Sequence, residues 1–295
     1  MKEFNSKIIL FGEYAVLNGS KLLAIPFDKF HGKLVLPENK YSLSEYIKLS
    51  NKNLFKLYNY LNNNQFLNFN INNFKQELNK GLYFDSNIPQ GYGVGSSGAL
   101  VAAIFDRYFC SQELFTSKWP YSTNELQKKL AQIESFFHGS SSGADPLVSY
   151  LNKPVLINGD TIEHFNFPVD QYIFLIDSKQ IGKTEGLINS YNDKSSYVKD
   201  EFVLETNSII ESYLNLSNNL FESIRKYSLL EKKLFPKMFA HVSGLSSIEK
   251  QYNNSLIIKL CGSGGGGFLL AFCLKKNLTA IKESFKQQNI PILLL

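Results

Sequence analysis

The sequence predicts a protein of mixed helices and strands that is long enough for two domains. Its 295 residues are 44% hydrophobic and 19% charged, which is the composition of a folded globular protein. The first part of the chain is rich in short β-branched segments, at 6–15, 22–26 and 33–36. Later segments, such as 122–137, carry apolar residues at helical spacing. We therefore expect an α+β fold.

Each element follows from periodicity and from turn residues. Strands alternate or run apolar between glycine and asparagine breaks, whereas helices repeat apolar residues every three or four positions. Beyond the three opening strands, the predicted strands are 66–74, 154–157, 172–176, 256–260, 269–274 and 290–295. The predicted helices are 43–61, 99–110, 122–137, 202–227, 232–245 and 278–288.

Charge and cysteine usage exclude several classes of protein. The net charge of +5 is spread without a block of like charges, so we expect no nucleic-acid partner. The three cysteines, Cys110, Cys261 and Cys273, have no zinc spacing and fit a reducing compartment. No apolar run approaches the ~20 residues of a membrane span, and the apolar run at 8–11 is too short for a signal peptide. A cytoplasmic monomer or homodimer without a membrane partner is expected.

A glycine-rich segment before an apolar helix is the main functional signal. Gly91, Gly93 and Gly95 lie within five residues and are followed by Ser96-Ser97-Gly98 and an apolar run. Glycines let backbone N–H groups approach a ligand closely, and a helix N-terminus attracts anions. We expect a phosphate here, although an ordinary loop before a buried helix remains the alternative. No lysine follows the glycines as a P-loop requires, and a serine occupies the last glycine position of a dinucleotide fingerprint.

Two carboxylates flank a glycine-rich turn further along the chain. Glu134 lies on the last turn of a predicted helix, and Asp145 follows eleven residues later. Near a triphosphate, one carboxylate can hold Mg²⁺ while the other accepts or orients the proton of a substrate hydroxyl. Taken singly, Glu134 could be a solvated helix residue and Asp145 a turn cap. Their joint occurrence after the glycine loop favours the functional interpretation.

A second glycine cluster, at 262–267, separates two apolar strands. So many glycines between strands are costly unless the backbone must approach another group closely. This cluster is therefore a further candidate for the site.

These motifs resemble those of the GHMP kinases, a family that includes galactokinase, homoserine kinase, mevalonate kinase and phosphomevalonate kinase. Residues 89–99 resemble its Pro-x-x-x-Gly-Leu-Gly-Ser-Ser-Ala loop, with Val94 in the leucine position. Residues 7–14 resemble Lys-x-x-x-x-Gly-Glu-His, with Tyr14 in place of the histidine. The segment 138–145 resembles the His-Gly-x-x-Ser-Gly-x-Asp of mevalonate kinases, and 259–267 resembles the third family motif. Lys179 and Thr184 match a further motif, in which Gly182 replaces an arginine.

The resemblance implies a fold and an activity. The fold is α+β, with an N-terminal β-rich domain over 1–155 and a C-terminal ferredoxin-like domain over 156–295 that meet at a cleft. The activity is transfer of the γ-phosphoryl group of ATP to an alcohol, with mevalonate as the favoured acceptor and with Mg²⁺.

The matching positions supply the expected site. Asp145 and Lys7 would be catalytic, and Ser97 and Glu134 would hold Mg²⁺. The nucleotide would contact Gly91, Gly93, Val94, Gly95, Ser96, Ser97 and Gly98. The acceptor would contact Glu13, Tyr14, Thr184, Gly264 and Gly265.

Three alternatives remain at this point. The first is a phosphomevalonate kinase or another GHMP kinase with a different acceptor. The second is mevalonate-diphosphate decarboxylase on the same fold, which the kinase-like Glu134 and the 138–145 spacing disfavour. The third is a non-catalytic nucleotide-binding protein, which the presence of the candidate metal and base residues disfavours.

Overall fold

The computed structural model describes residues 2–38, 44–64, 69–109, 122–166, 171–182 and 191–295. The chain divides into two compact units. Unit 1 contains residues 1–7, 26–88 and 95–153, and unit 2 contains residues 8–25, 89–94 and 154–295. The first two strands, Phe4–Phe11 (β1) and Leu22–Val35 (β2), each begin in one unit and end in the other. A single domain boundary at residue 155 stays a prediction.

Three further strands, Tyr83–Ser86 (β3), Val155–Asn158 (β4) and Thr161–His164 (β5), join β1 and β2 in the first sheet. The strand order is β1-β2-β4-β5, with β3 also paired to β2. In unit 1, β3 lies antiparallel to the second half of β2, with Leu34 opposite Phe84. In unit 2, β4 lies antiparallel to the first half of β2, and β5 returns alongside β4 as a hairpin.

The described residues of unit 1 form five helices. They are Glu45–Asn63 (α1), Ile71–Asn79 (α2), Ser96–Tyr108 (α3), Thr123–His138 (α4) and Ala144–Leu151 (α5). Helix α3 is buried along most of its length, and helices α4 and α5 both pack against it. A capping box between Ser122 and Glu125 fixes the start of α4. Helix α3 is therefore the central helix of unit 1.

A second, four-stranded sheet forms the core of unit 2. Its strands are Gln171–Asp177 (β6), Leu256–Leu260 (β7), Phe268–Leu274 (β8) and Ile292–Leu294 (β9). The strand order is β7-β8-β6-β9 and every pairing is antiparallel. The helices of this unit are Ser196–Leu214 (α6), Leu220–Leu234 (α7), Leu245–Gln251 (α8) and Leu278–Gln287 (α9). The chain order of strands and helices, with this strand order, is that of a ferredoxin-like fold.

The predicted α+β class and ferredoxin-like second half are confirmed. Apolar helix faces and period-two strands were sufficient signals for the class, whereas the ferredoxin-like second half followed from the family resemblance. Within the parts of the chain that the structure describes, no helix is both long enough and apolar enough to cross a membrane.

The predicted strand at 66–74 is wrong from residue 71 onward, since helix α2 begins at Ile71, whereas Phe69 forms an isolated β-bridge with Phe109. Residues 65–68 lie outside the described residues. The side chain of Asn70 accepts a hydrogen bond from the Asn73 N–H and so caps the helix. Phe74 and Leu78 are both buried, and their spacing of four residues places them on one helix face. The strand was predicted because apolar and polar residues also alternate over this short segment.

Two predicted helices are also wrong in extent. The predicted helix 202–227 is broken between Leu214 and Leu220, where Leu216 has a left-handed φ of 48°. The predicted helix 232–245 ends at Leu234, and a short 3₁₀ turn follows at Pro236–Met238. Asparagines favour turns in the first case, and in the second the proline cannot continue a helix.

Candidate active site

In unit 1, helix α3 begins with a backbone that suits an anion. Its N-cap residue, Gly95, has a left-handed φ of 78°. No side chain caps the helix, and no acidic residue lies in its first turn. The first N–H groups of a helix have no intrahelical acceptors, and the helix dipole adds partial positive charge at this end. Ser96, Ser97 and Gly98 form this first turn, as the sequence predicts.

Gly95 also makes room for Lys7 of strand β1. A Cβ atom at Gly95 would lie 2.8 Å from both Cγ and Cε of Lys7. The stem of Lys7 therefore lies directly against the start of α3, and its side chain is almost completely buried. Any side chain at position 95 would displace the lysine as well as strain the backbone.

Lys7 forms an ion pair with Asp145 in the first turn of helix α5. The distance from Lys7 Nζ to Asp145 Oδ2 is 2.9 Å. The aspartate side chain is 27% exposed, whereas the lysine side chain is 3% exposed. The structure therefore brings together the two predicted catalytic residues, with a buried ammonium beside a carboxylate that solvent can still reach.

The close packing of α3 on α5 sets the position of Asp145. A Cβ atom at Gly98 would lie 2.8 Å from the main-chain carbon of Asp145 and 2.9 Å from its Cβ. These separations are below normal van der Waals contact, so only glycine fits without displacing Asp145. The sequence predicted Gly98 as a nucleotide contact, and the structure gives it a packing reason as well.

Glu134 of helix α4 is buried in the same cluster. The hydroxyl of Ser141 donates a hydrogen bond to Glu134 Oε2, and the Ser141 oxygen accepts one from the Gly143 N–H at 2.9 Å. Burial and the negative charge of Asp145 raise the pKa of Glu134 to about 8. Hydrogen bonds from Ser141 and Ser97, and the positive charge of Lys7, act in the opposite direction.

When Glu134 is ionised, the cluster carries more negative than positive charge, which suits a cation. Glu134 and Asp145 are two carboxylates, and Lys7 supplies one ammonium. Among the described residues, no group of three or more His, Cys, Asp or Glu could hold a metal by itself. Mg²⁺ does not need such a group, because it is usually held by one or two carboxylates together with substrate phosphates. The Glu134 carboxylate and the Ser97 hydroxyl are ligand types that fit Mg²⁺.

In unit 2, the glycines of the predicted phosphate loop pack against other backbone. A Cβ atom at Gly93 would lie 2.3 Å from the Cys261 carbonyl oxygen, and one at Gly91 would lie 2.9 Å from the Gly182 carbonyl oxygen. The Phe268 N–H donates to the Tyr92 carbonyl at 3.2 Å. The loop thus rests on the second glycine cluster, and this close approach explains why both clusters are rich in glycine. Val94 itself is buried.

The two glycines predicted to contact the acceptor are fixed by a neighbouring turn of unit 2. The Gly265 N–H donates to the Met238 carbonyl at 2.6 Å. A Cβ atom at Gly264 would lie 2.7 Å from the same oxygen. Both glycines have left-handed φ angles, 70° for Gly264 and 76° for Gly265.

Tyr14 is anchored to the second glycine cluster. Its hydroxyl donates a hydrogen bond to the Ser263 carbonyl, and its ring packs against Tyr191 and Phe235. Its backbone φ is 59°, which is uncommon for a residue with a side chain. Burial and the nearby Glu13 carboxylate raise the pKa of Tyr14, so its hydroxyl stays protonated at neutral pH. The aromatic ring fills the space beside Glu13 as a neutral group.

Glu13 belongs to a buried ion cluster that sequence reasoning missed. Its Oε1 lies 2.7 Å from Nζ of Lys259, and Glu231 Oε1 lies 3.6 Å from the same nitrogen. All three side chains are buried. Glu231 follows the buried residues Ile224 and Tyr227 on helix α7 at helical spacing. That spacing was the available signal, because it places a glutamate on the buried face.

Thr184, the remaining predicted acceptor contact, lies outside the described residues. Lys179, predicted from the same motif, donates from Nζ to the Asn289 carbonyl at 3.2 Å. The structure thus places the predicted residues in two groups, Lys7, Gly95, Ser96, Ser97, Gly98, Glu134 and Asp145 in unit 1, and Glu13, Tyr14, Gly91, Gly93, Val94, Gly264 and Gly265 in unit 2.

Comparison with known proteins gives a family match and several structural matches. Residues 52–153 match the model of the GHMP kinases N terminal domain. A search of curated protein sequences finds no match.

Solved structures of similar fold include kinases of mevalonate and phosphomevalonate. Mevalonate kinase of Methanococcus jannaschii is 18% identical with a TM-score of 0.66, and the match covers 99% of this chain and 96% of that one. Mevalonate kinase of L. major in complex with R-mevalonate is 17% identical with a TM-score of 0.64, covering 99% and 94%. Phosphomevalonate kinase of Streptococcus pneumoniae in complex with phosphomevalonate and AMPPNP is 13% identical with a TM-score of 0.65, covering 100% and 99%.

The resemblance inferred from the sequence motifs is confirmed by the family match and by the fold. Residues 52–153 match the GHMP kinases N terminal domain, and the chain as a whole has the fold of solved mevalonate kinases.

Proposed function

We propose that this protein is an ATP-dependent kinase that transfers the γ-phosphoryl group to the hydroxyl of a small alcohol, with mevalonate as the favoured acceptor. The observation that supports this most is the pairing of Lys7 with Asp145 at 2.9 Å in the unit that also holds the uncapped start of α3. An ammonium, a reachable carboxylate and a helix N-terminus are the groups that phosphoryl transfer needs.

In the proposed reaction, the N-terminus of α3 binds phosphate oxygens of ATP. The acceptor hydroxyl gives its proton to Asp145 while its oxygen forms a bond to the γ-phosphorus. The bond between the γ-phosphorus and the bridging oxygen of ADP breaks, and ADP leaves with that oxygen. Lys7 stabilises the negative charge on Asp145 and on the transferring group. Positioning and charge stabilisation supply most of the rate enhancement in such reactions.

Ser97 and Glu134 would hold Mg²⁺ in this proposal. The ion supplies positive charge that neutralises the phosphate oxygens. The raised pKa of Glu134 supports this role, because a buried carboxylate beside Asp145 is stabilised in its charged form by a neighbouring cation. Ser141 holds the Glu134 carboxylate through its hydroxyl and so sets its orientation.

Mevalonate is favoured as acceptor for two reasons. The 138–145 segment resembles that of mevalonate kinases, and a structure of similar fold is a mevalonate kinase in complex with R-mevalonate. Phosphomevalonate is the second candidate, because the phosphomevalonate kinase of Streptococcus pneumoniae matches the fold equally well. Tyr14 stands where the family has a histidine, and this difference does not favour one of the two acceptors over the other.

A coupled assay of ADP formation tests the proposal. The purified chain is supplied with MgATP and, in turn, mevalonate, phosphomevalonate, homoserine or galactose. We expect acceptor-dependent ADP release with mevalonate, confirmed by detection of the phosphorylated product. ADP release with phosphomevalonate but not with mevalonate would identify phosphomevalonate as the acceptor. Absence of acceptor-dependent release with all four compounds would contradict it.

A further inference from the structure

A buried ion cluster of Glu13, Lys259 and Glu231 includes two residues, Lys259 and Glu231, to which the proposed reaction gives no role. Lys259 Nζ donates to Glu13 Oε1 and to the Leu260 carbonyl, both at 2.7 Å. Glu231 Oε2 accepts a hydrogen bond from the Leu260 N–H at 3.2 Å. One glutamate thus contacts both the lysine side chain and the backbone at the end of strand β7.

This end of β7 leads directly into the second glycine cluster. Cys261 follows Leu260, and its carbonyl oxygen is the atom that a Cβ at Gly93 would approach to 2.3 Å. A Cβ at Gly262 would in turn lie 2.7 Å from the Gly93 carbonyl oxygen. A shift of Leu260 would therefore move the backbone on which the predicted phosphate loop rests.

The cluster contains two carboxylates and one ammonium, all buried. Within the described part of the chain, Glu13 Oε2 and Glu231 Oε1 have no hydrogen-bond partner. A buried, uncompensated carboxylate charge is costly, and binding a proton is the usual remedy. Glu13 is closer to the ammonium than Glu231 is, at 2.7 Å against 3.6 Å, so the proton belongs on Glu231.

We propose that Glu231 is a positioning residue for nucleotide binding, which in its protonated form fixes Lys259 and the Leu260–Cys261 backbone beneath the 91–93 loop. The proposal rests on the proposed function in one respect, namely that this loop contacts the nucleotide. It adds a residue that no sequence motif of the site includes, and it makes the affinity for nucleotide depend on a proton held by a residue that takes no part in phosphoryl transfer.

The electrostatic surroundings agree with this assignment. Burial and the charge of Glu13 raise the pKa of Glu231 to about 8, against the opposing effect of Lys259. The carboxylates raise the pKa of Lys259 despite its burial, so it stays charged. The titratable groups that face the cluster from the surrounding elements are Glu13, Tyr14, Tyr227, Lys259 and Cys261.

The test compares substitutions of Glu231 with a matched control. Glu231→Gln keeps an oxygen that accepts from the Leu260 N–H and resembles the protonated acid, whereas Glu231→Leu removes the acceptor. Glu249→Gln is the control. Glu249 lies on helix α8 and pairs with Lys232, which is on the same helix as Glu231 but outside the ion cluster. The dissociation constant of AMPPNP with Mg²⁺ is measured by calorimetry for each folded variant at neutral pH, and for wild type and Glu231→Gln from about pH 6.5 to 9.5.

We expect Glu231→Leu to weaken AMPPNP binding by about tenfold or more, since it leaves a buried N–H unpaired. Glu231→Gln and the Glu249→Gln control should stay within about threefold of wild type at neutral pH. As the pH rises through about 8, wild-type affinity should fall relative to that of Glu231→Gln, because the titration of Glu134 is common to both proteins.

Three results would overturn the inference. Equal affinities of Glu231→Leu and the control would do so, as would a Glu231→Gln variant as weak as Glu231→Leu. If Glu231→Leu does not fold, identical pH profiles for wild type and Glu231→Gln decide against it. Wild-type protein that binds no AMPPNP would instead contradict the proposed function, and with it this inference.

Discussion

Gly98→Ala is a substitution whose effect follows from two interatomic distances. The new Cβ would lie 2.8 Å from the main-chain carbon of Asp145 and 3.0 Å from the nitrogen of Pro146. Both contacts are with backbone at the start of helix α5, which cannot rotate away as a side chain can. Helix α5 must therefore move away from α3, and Asp145 moves with it.

The size of the effect can be worked out for stability and for rate. Ordinary carbon contacts begin near ~3.4 Å, so Asp145 must move by roughly 0.5 Å. Overpacking of this kind costs about 1–3 kcal/mol, and replacing glycine by alanine within a helix returns about 1 kcal/mol. The free energy of unfolding should then fall by no more than about 2 kcal/mol. Since a misplacement of about 1 Å at a reacting group can cost 10²-fold, turnover should fall about tenfold.

The assay is phosphoryl transfer to the acceptor at saturating MgATP, with AMPPNP affinity and urea unfolding measured on the same preparations. Gly159→Ala serves as the control for turnover, because a Cβ there meets nothing within 4 Å and any loss of stability comes only from its left-handed φ of 56°. A folded Gly98→Ala protein with wild-type turnover would refute the argument that this contact sets the position of Asp145.

Three further predictions concern Glu134 and Tyr14. Glu134→Gln should raise the Mg²⁺ concentration for half-maximal rate by about tenfold or more while the KM for acceptor changes little; an unchanged Mg²⁺ dependence would count against the metal role. In EDTA, the stability that Glu134 contributes should be present at low pH and lost as the pH rises through about 8, because its pKa is raised in the folded state. The melting temperature of Glu134→Gln should therefore fall less over this pH range than that of wild type, and equal falls in the two proteins would contradict the prediction. Tyr14→Phe should lower the free energy of unfolding by about 1 kcal/mol, since it removes the hydrogen bond to the Ser263 carbonyl; unchanged urea unfolding would show that the bond contributes nothing.

Sequence reasoning anticipated much of the unit 1 cluster because its members lie in short motifs. Gly95 and Gly98 were expected from a loop that must approach a ligand, and the structure adds packing against Lys7 and Asp145. The pairing of Lys7 with Asp145 joins positions 138 residues apart, which no local pattern predicts. Only the family resemblance linked these two positions in advance.

The remaining features depend on tertiary contacts that a single sequence does not display. Glu231 has no motif, and its importance comes from the approach of strand β7 to helix α7. Helix α2 was missed because its short apolar pattern fits both the strand period and the helix period. The Asn70 cap and the burial of Phe74 favour the helix in the folded protein. Helix α5 was missed because it is short and carries Pro146 in its first turn, where proline is tolerated.

The most direct test of the central claim is the single-turnover transfer of the γ-phosphoryl group from MgATP to mevalonate by Asp145→Asn. The matched measurement is the affinity of the same folded protein for AMPPNP. If Asp145 accepts the hydroxyl proton, the transfer rate should fall by about 10²–10⁴-fold while nucleotide affinity stays within about threefold of wild type. A folded Asp145→Asn protein that transfers the phosphoryl group at the wild-type rate would contradict the account.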